Sequence, residues 1–211
     1  MPPKPKNTRE EIVSAAVNII RRCGLEGLTA KKIGEELKSS PSSIFTHFNT
    51  MEEIQQEAIA AIRVIYDGYV RRGLSLTPPF KGYAMESIRF AGEEPRLFAV
   101  LFMRRGEEMP LEEFIGAEGH EEVILSAVKN TFGLNDEDAA WLYHNLWLYA
   151  HGIAALTATG ACSFTREEIS RKLSVACYAF LQAMHSDEIA DVLPAEAQPA
   201  DQPIPAYVTG K

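Results

Sequence analysis

The strongest constraint on the fold is a Thr-x-x-Glu pattern that occurs three times, starting at Thr8, Thr50 and Thr165. In this pattern the threonine hydroxyl accepts an amide hydrogen of the first helical turn, while the glutamate carboxylate reaches back to the threonine amide. Each copy precedes apolar residues spaced three and four positions apart, which is the period of one helix face. The chain is therefore expected to be all-α, with helices beginning at these three threonines.

Further helix boundaries follow from the same spacing and from glycine and proline positions. Gly24 can end the first helix, and Pro41 suits the first position of a short helix capped by Ser40. Residues 73–79 (GLSLTPP) are expected to form a linker, and residues 103–119 a loop. The predicted helices cover residues 8–23, 30–37, 41 to about 48, 51 to about 72, 80–92, 95–103, 118–132, 136–159 and 166–185.

These elements predict three parts of the chain. Residues 1–50 form a small three-helix domain with a basic N-terminal arm that contains Lys4 and Lys6. Residues 51–186 form a larger helical domain. Residues 187–211 are rich in proline and alanine and cannot supply a core, so a mobile tail is expected.

The N-terminal domain has the layout of a helix-turn-helix, because two short helices joined by Lys38 and Ser39 follow a longer one. The second helix of such a pair enters the DNA major groove and meets base edges with its N-terminal residues. In this chain that helix is expected to expose Ser42, Ser43, Thr46 and His47, while Ile44, Phe45 and Phe48 face inward or sideways. Small hydroxyl side chains can hydrogen-bond to phosphates or bases. The pattern therefore predicts DNA binding.

The segment LTAKKIGEELKSSPSSIFTHFNTMEEI, residues 28–54, resembles the DNA-binding segment of the TetR/AcrR family of transcriptional regulators. The resemblance extends over about residues 8–60. It implies that Thr29 sets a helix N-terminus against a phosphate, that Ser40 caps the recognition helix, and that His47 contacts a phosphate. Ser42, Ser43 and Thr46 would face bases or backbone. The implied DNA-binding set is Thr29, Lys38, Ser40, Ser42, Ser43, Phe45, Thr46 and His47.

Three positions depart from that family pattern. Phe45 replaces the usual tyrosine and Met51 the usual lysine, and both usual residues contact phosphate. Lys38 stands in the turn where glycine is usual, and with Lys4 and Lys6 it can partly restore the lost contacts. Because phosphate contacts supply most non-specific affinity, the salt dependence of DNA binding is expected to be shallow.

The C-terminal region carries shorter resemblances. Residues 147–152 (WLYAHG) are similar to a W-x-x-x-H-G element of one TetR subgroup, as is the EPRLF sequence at 94–98. On a helix, residues 136–159 present one side with Leu142, Leu146, Tyr149, Ile153 and Leu156. The other side is aromatic, and such mixed linings are typical of small-molecule sites, although core packing is the simpler explanation for each residue taken singly. The predicted ligand-binding residues are Phe90, Phe98, Phe102, Tyr143, Trp147 and His151.

No metal, cofactor or catalytic residue is predicted. His144 and His151 stand seven residues apart and could share a face, but no third ligand completes a site. Residues 139–165 contain no charged side chain and could be taken for a membrane span. Their histidines, asparagine and threonines favour a helix buried between protein layers instead.

The formal net charge of −8 divides unevenly along the chain. Residues 1–50 carry +3 and the remainder −11, so a basic head would face DNA while an acidic body is repelled. Three cysteines without a C-x-x-C pair, and no signal peptide, favour the cytoplasm.

The expected function is that of a homodimeric transcriptional regulator, most often a repressor in this family, which binds operator DNA and a small-molecule effector. A helical small-molecule-binding protein or enzyme without DNA binding is the alternative. Replacing Ser43 and Thr46 would separate the two.

Overall fold

The computed structural model describes residues 7–103, 109–117 and 119–184. Within these ranges every regular element is helical, which confirms the all-α prediction. The arm residues Lys4 and Lys6, the end of the last predicted helix at His185 and the tail at 187–211 lie outside them. The helices are α1 (Arg9–Cys23), a single 3₁₀ turn (Leu25–Gly27), α2 (Ala30–Glu36), α3 (Pro41–Ile44), α4 (Met51–Leu74), α5 (Pro79–Glu93), α6 (Pro95–Phe102), α7 (Leu111–Gly116), α8 (Glu121–Phe132), α9 (Asp136–Ala158) and α10 (Arg166–Ala183).

All three predicted threonines occupy helix N-caps, but only two of the capping boxes are complete. Thr8 and Thr165 exchange both hydrogen bonds with the glutamates three residues later. At the third site the Thr50 hydroxyl accepts the Glu53 amide at 3.1 Å, whereas the Glu53 carboxylate accepts the Asn49 amide at 2.8 Å. The prediction of a third complete capping box was therefore wrong, because the Glu53 carboxylate binds the Asn49 amide instead of the Thr50 amide.

The head of the molecule consists of α1, α2, α3 and the first turns of α4. Arg9 joins these helices: its guanidinium binds the carboxylates of Glu53 and Glu57 and donates to the His47 carbonyl at 2.6 Å. It also lies 4.1 Å from the centre of the Phe48 ring. The core beneath is aliphatic and fully buried, and is formed mainly by Ile12, Ile19, Ile20, Ile33, Ile44 and Ile54.

The predicted linker at 73–79 is shorter than expected. Helix α4 continues through Leu74, and α5 begins at Pro79. The two helices cross at Gly73 and Gly82, where a Cβ on Gly73 would lie 2.6 Å from the Tyr83 Cα. These glycines allow backbone contact between the helices rather than a flexible connection.

The predicted loop at 103–119 was also wrong, since it contains α7. This six-residue helix buries Ile115 completely and sets Phe114 edge-on against Trp147 of α9, with ring centres 5.8 Å apart. A helix this short is stabilised by tertiary packing, and its local sequence gives a weak signal.

Helix α9 lies in the body with most of its length covered. Leu142, Leu146 and Ile153 of the predicted aliphatic side are buried, but Tyr149 and Leu156 of the same side are exposed. No helix within the described residues is long and apolar enough to cross a membrane.

Candidate DNA-binding surface and ligand cavity

The recognition helix α3 is shorter than the two turns predicted for it. Its α-helical part spans Pro41–Ile44, and single turns continue it as the His47 amide donates to the Ile44 carbonyl at 3.1 Å. Ser40 occupies the N-cap, but its hydroxyl lies 2.9 Å from the Ser42 hydroxyl and caps no amide of α3. The prediction that Ser40 occupies the N-cap of α3 is confirmed, but the prediction that its side chain caps the helix was wrong.

Three hydroxyl side chains occupy this surface. Ser42 and Thr46 are exposed and Ser43 is half-buried. The Ser43 hydroxyl donates to the Ser40 carbonyl, and the Thr46 hydroxyl donates to the Ser43 carbonyl, each at 2.7 Å. Because these protons are used within the helix, the two oxygens are oriented and can accept hydrogen bonds from outside. Phe45, expected to face inward or sideways, is 43% exposed beside them.

The turn between α2 and α3 explains two sequence features. Lys38 has a left-handed backbone (φ +50°), the conformation that glycine adopts without strain. In the helix before this turn, a Cβ on Gly34 would lie 2.8 Å from the Ser39 carbonyl oxygen. The Ser39 amide in turn donates to the Gly34 carbonyl at 2.9 Å. Gly34 thus sets the close approach of the two helices, a role that sequence reasoning missed.

Two residues that are predicted to contact phosphate lie in different environments. The Thr29 hydroxyl accepts the Lys32 amide at 3.3 Å and so caps α2. The His47 ring is half-buried, and its Nε2 is buried with no hydrogen-bond partner among the described residues. A phosphate contact from Nε2 would therefore require the ring to turn, and this contact stays a prediction.

The arginines of the head are held by carboxylates. Arg9 binds Glu53 and Glu57, and Arg21 lies 2.7 Å from Glu94. Arg22 lies 2.5 Å from Glu36, and this contact lowers the pKa of the Glu36 carboxyl. The remaining described cations of the head are lysines of α2 and its following turn: Lys31, Lys32 and Lys38.

A cavity of about 30 Å³ lies in the body between α4, α5, α6 and α9. It is lined by Phe98, Phe102, Tyr143, Trp147 and His151, five of the six residues predicted to bind ligand. Phe90 is not among them, because it packs behind Tyr66 and Phe98 at ring distances of 5.2 and 6.4 Å. Sequence reasoning missed Tyr66, Phe80, Tyr83, Ala84, Ser87 and Leu146.

His151 is the most distinctive polar group of the cavity. Its ring stacks on Trp147 with centres 4.5 Å apart and planes 14° apart, and it lies 5.5 Å from Phe98. Burial lowers the pKa of His151, so the imidazole is neutral at neutral pH. His144, by contrast, faces Glu121 at 3.3 Å. Nowhere in the described ranges do three His, Cys, Asp or Glu side chains come together in a metal-binding group.

A short helix pair with exposed hydroxyls, mounted on a helical body with an aromatic cavity, defines a helix-turn-helix DNA-binding protein of the transcription-regulator class. Residues 12–58 match the family model of the bacterial regulatory proteins, tetR family. The N-terminal part of the chain is therefore similar to the DNA-binding domain of that family, and this similarity favours a transcriptional regulator over an enzyme.

Two HTH-type transcriptional regulators of known sequence are similar to this chain. An uncharacterised HTH-type transcriptional regulator of Mycobacterium tuberculosis is 27% identical over 161 residues, which span 74% of this chain and 72% of the relative. An HTH-type transcriptional regulator of Saccharopolyspora erythraea is 32% identical over 59 residues, or 28% of this chain and 25% of that protein.

Solved structures share the fold at low sequence identity. A TetR-like transcriptional regulator from Rhodococcus sp. RHA1 superposes with a TM-score of 0.60 at 12% identity, covering 86% of this chain and 98% of the other. FadR of Thermus thermophilus, a TetR family transcriptional repressor in complex with lauroyl-CoA, gives a TM-score of 0.54 at 19% identity, covering 90% and 100%.

Proposed function

We propose that the protein is a homodimeric repressor whose head, residues 1–50, reads a palindromic operator and whose body, residues 51–186, releases it when a small molecule binds. The observation that carries this proposal is the course of α4. This one helix of 24 residues starts in the core of the head and passes the cavity of the body at Tyr66.

The two ends of α4 make different contacts. Near its start, Glu53 and Glu57 hold Arg9 of α1. Further along, Tyr66 lines the cavity, with its hydroxyl 3.2 Å from Ser87 and its ring 5.1 Å from Phe102. A displacement of Tyr66 by a ligand would therefore act on a helix that also positions the head.

The size of the cavity makes such a displacement necessary. A volume of about 30 Å³ holds one or two water molecules, whereas small-molecule sites measure about 300–1,000 Å³. A ligand can enter only if the lining helices separate, and α4 is one of them. If the separated arrangement of α4 fits the operator less well, ligand and operator would weaken each other's binding by the same factor.

Helix α6 offers a second connection between body and head. Phe98 and Phe102 of α6 line the cavity, and Glu94 at its N-cap binds Arg21 of α1 at 2.7 Å. An outward shift of α6 would pull on this ion pair, which lies outside the cavity and touches no ligand.

For DNA reading we assign base contacts to α3 and backbone contacts to the residues around it. Ser42, Ser43 and Thr46 would accept hydrogen bonds from bases, and the exposed Phe45 ring suits a thymine methyl group. Thr29, Lys38 and His47 would face phosphates. Ser40 would act through its N-cap position.

The dimer would form through an apolar face that α9 and α10 leave exposed. This face consists of Trp141, Leu148, Tyr149, Leu156 and Val175, each at least 38% exposed. Gly152 lies among the α9 residues of this face with no atom within 4 Å of an added Cβ, so a partner helix could approach closely. Two-fold symmetry would place the recognition helices about 34–36 Å apart, one turn of DNA.

The assignment of the body to the W-x-x-x-H-G subgroup belongs to the same proposal. Trp147 and His151 of that element stack on each other in the cavity wall, which supports a role in ligand binding. FadR, a structural neighbour, holds lauroyl-CoA, so this fold can carry an effector. The free thiols of Cys23, Cys162 and Cys177 fit the reducing cytoplasm.

Footprinting on the DNA upstream of the protein's own gene tests the proposal. We expect a protected palindrome whose half-sites are about 10 base pairs apart, with a dissociation constant at least a hundredfold below that for unrelated DNA of equal length. Equal affinity for both DNAs would overturn the proposed operator recognition.

A further inference from the structure

A second depression lies next to the cavity and shares part of its wall. This outer groove, about 280 Å³ between α5, α8 and α10, is open to solvent on one side. Phe80, Ala84 and Leu146 belong to both linings, so only this layer of side chains separates the two spaces. The rest of the groove is mainly apolar, with Phe132, Leu173, Cys177 and Leu181.

One cation stands in the groove. Lys81 follows Phe80 directly and donates to the Ser174 hydroxyl at 2.8 Å. In the described part of the chain, Lys81 forms no ion pair with a carboxylate. The ammonium group of Lys81 borders apolar surface, and it favours an anionic ligand group because a low local dielectric constant strengthens their attraction.

The inner cavity has the opposite character. The thirteen described residues of its lining include no Asp, Glu, Lys or Arg, and its histidine is neutral. A charged group would lose its hydration there without compensation, whereas an apolar chain would not. The groove and the cavity together reach the lower limit of small-molecule sites, about 300 Å³.

We propose that the outer groove and the cavity form one ligand site for a carboxylate with an unbranched apolar chain, whose head binds Lys81 and whose chain passes Phe80 to end beside Trp147. This inference rests on the proposed function, since it names the effector class. Phe80 then acts as the gate, its ring edge-on to Tyr143 at 6.5 Å in the closed form.

Three probes of equal chain length test the head group: dodecanoate, dodecanol and dodecyltrimethylammonium, the two ions kept below their micelle concentrations and the alcohol below its solubility limit. The Trp141→Phe protein serves as background because it leaves Trp147 as the single tryptophan. We expect dodecanoate to bind at least tenfold more tightly than either other probe. Equal binding of the three, or no binding of dodecanoate, would overturn the proposal.

Brominated dodecanoates test the direction of the chain, because bromine quenches tryptophan only at short range. We expect 12-bromododecanoate to quench Trp147 and 2-bromododecanoate to leave its emission nearly unchanged. The reverse pattern would overturn the assigned orientation.

Lysine variants test the proposed head-group contact. Lys81→Met is expected to weaken dodecanoate binding about tenfold and to leave dodecanol binding unchanged, while Lys81→Arg keeps the preference. Lys172→Met, which removes an exposed lysine of α10 outside the groove lining, is the matched control. If Lys81→Met and Lys172→Met bind dodecanoate with equal affinity, Lys81 does not bind the head group.

Operator binding measured with the parent protein and the same three probes separates this inference from the proposed function. If dodecanoate binds as described but leaves operator affinity unchanged, the ligand site holds and the proposed release mechanism fails. If the operator is bound specifically but dodecanoate is not, the regulator holds and the effector class is wrong.

Discussion

The head and the body of this protein are packed in different ways. The head is filled by branched aliphatic side chains, and its six core isoleucines are at most 1% exposed. The body gathers aromatic rings of α4, α5, α6 and α9, which meet at angles and leave a cavity of about 30 Å³. A solid core holds the recognition helix in one geometry, whereas a hollow core can be expanded by a ligand.

Charge divides the molecule along the same boundary. The head carries +3, yet its described arginines are engaged by carboxylates, and Lys31 of α2 also pairs with Glu35 at 3.9 Å. The body and tail carry −11. The arginines therefore hold the head together and join it to the body, and the acidic body would keep DNA on the head's side.

The largest expected effect concerns the face that the body leaves exposed. Gly152→Glu places a charge in the proposed dimer interface, and its Cβ would meet no atom of the described residues within 4 Å. We expect the dimer to dissociate and operator affinity to fall about a hundredfold or more, because bivalent binding is lost. Sedimentation velocity and operator titration measure both effects.

Gly68→Glu is the matched control for this change, since an added Cβ at Gly68 of α4 also meets nothing within 4 Å. It should leave both the dimer and operator affinity unchanged. A Gly152→Glu protein that remains dimeric would show that the interface lies elsewhere.

The difference in packing predicts unequal costs for the same substitution. Ala16→Val adds two methyl groups to the solid head and should lower the free energy of unfolding by about 2 kcal/mol. Ala150→Val adds them beside the cavity and should cost less than about 1 kcal/mol, since space is present. Urea denaturation measures both, and equal costs would contradict a hollow body.

The left-handed turn of the head predicts a stabilising change. Lys38→Gly should raise the free energy of unfolding by about 1 kcal/mol, because glycine adopts φ +50° without strain. It should also weaken operator binding at low salt through the lost charge. Lys38→Met separates the two effects, because methionine removes the charge and keeps the strained left-handed backbone. A Lys38→Gly protein less stable than the parent would show that the lysine side chain outweighs the strain.

The smallest expected effect is a pH dependence of the body. Burial lowers the pKa of His151 in the folded state, so the unfolded chain binds the proton more readily. Stability should therefore fall as the pH drops below about 6.5, the unfolded value, with a slope below about 1.4 kcal/mol per pH unit. The dependence should be flatter in His151→Gln. Parallel curves for the two proteins between pH 7 and 5 would contradict it.

Local sequence signals predicted the helix ends well where the capping residues lie next to the helix in the sequence. The threonine N-caps, Pro41 at the start of α3 and Gly24 after α1 are all in place. Contacts between distant segments were not predictable from spacing. The Glu53 carboxylate binds Asn49 and Arg9 instead of completing its capping box. Helix α7 forms because Ile115 and Phe114 pack onto the body.

The cavity shows the same limit. The aromatic side of α9 and the residues of α6 were found because their helices carry conspicuous rings. Tyr66, Phe80 and Tyr83 were missed, since the angles at which α4 and α5 cross decide which of their faces line the space. The crossing depends on Gly73 and Gly82, whose role appears only once the two backbones are seen in contact.

The central claim is that the head alone reads the operator sequence through the hydroxyls of α3. Titration of the footprinted palindrome with the Ser43→Ala/Thr46→Ala protein tests it most directly, with Thr159→Ala/Ser163→Ala, two exposed positions of the body, as control. We predict that the α3 variant binds at least tenfold more weakly while unfolding normally, and that the control binds like the parent. Undiminished binding by the Ser43→Ala/Thr46→Ala protein would contradict the claim.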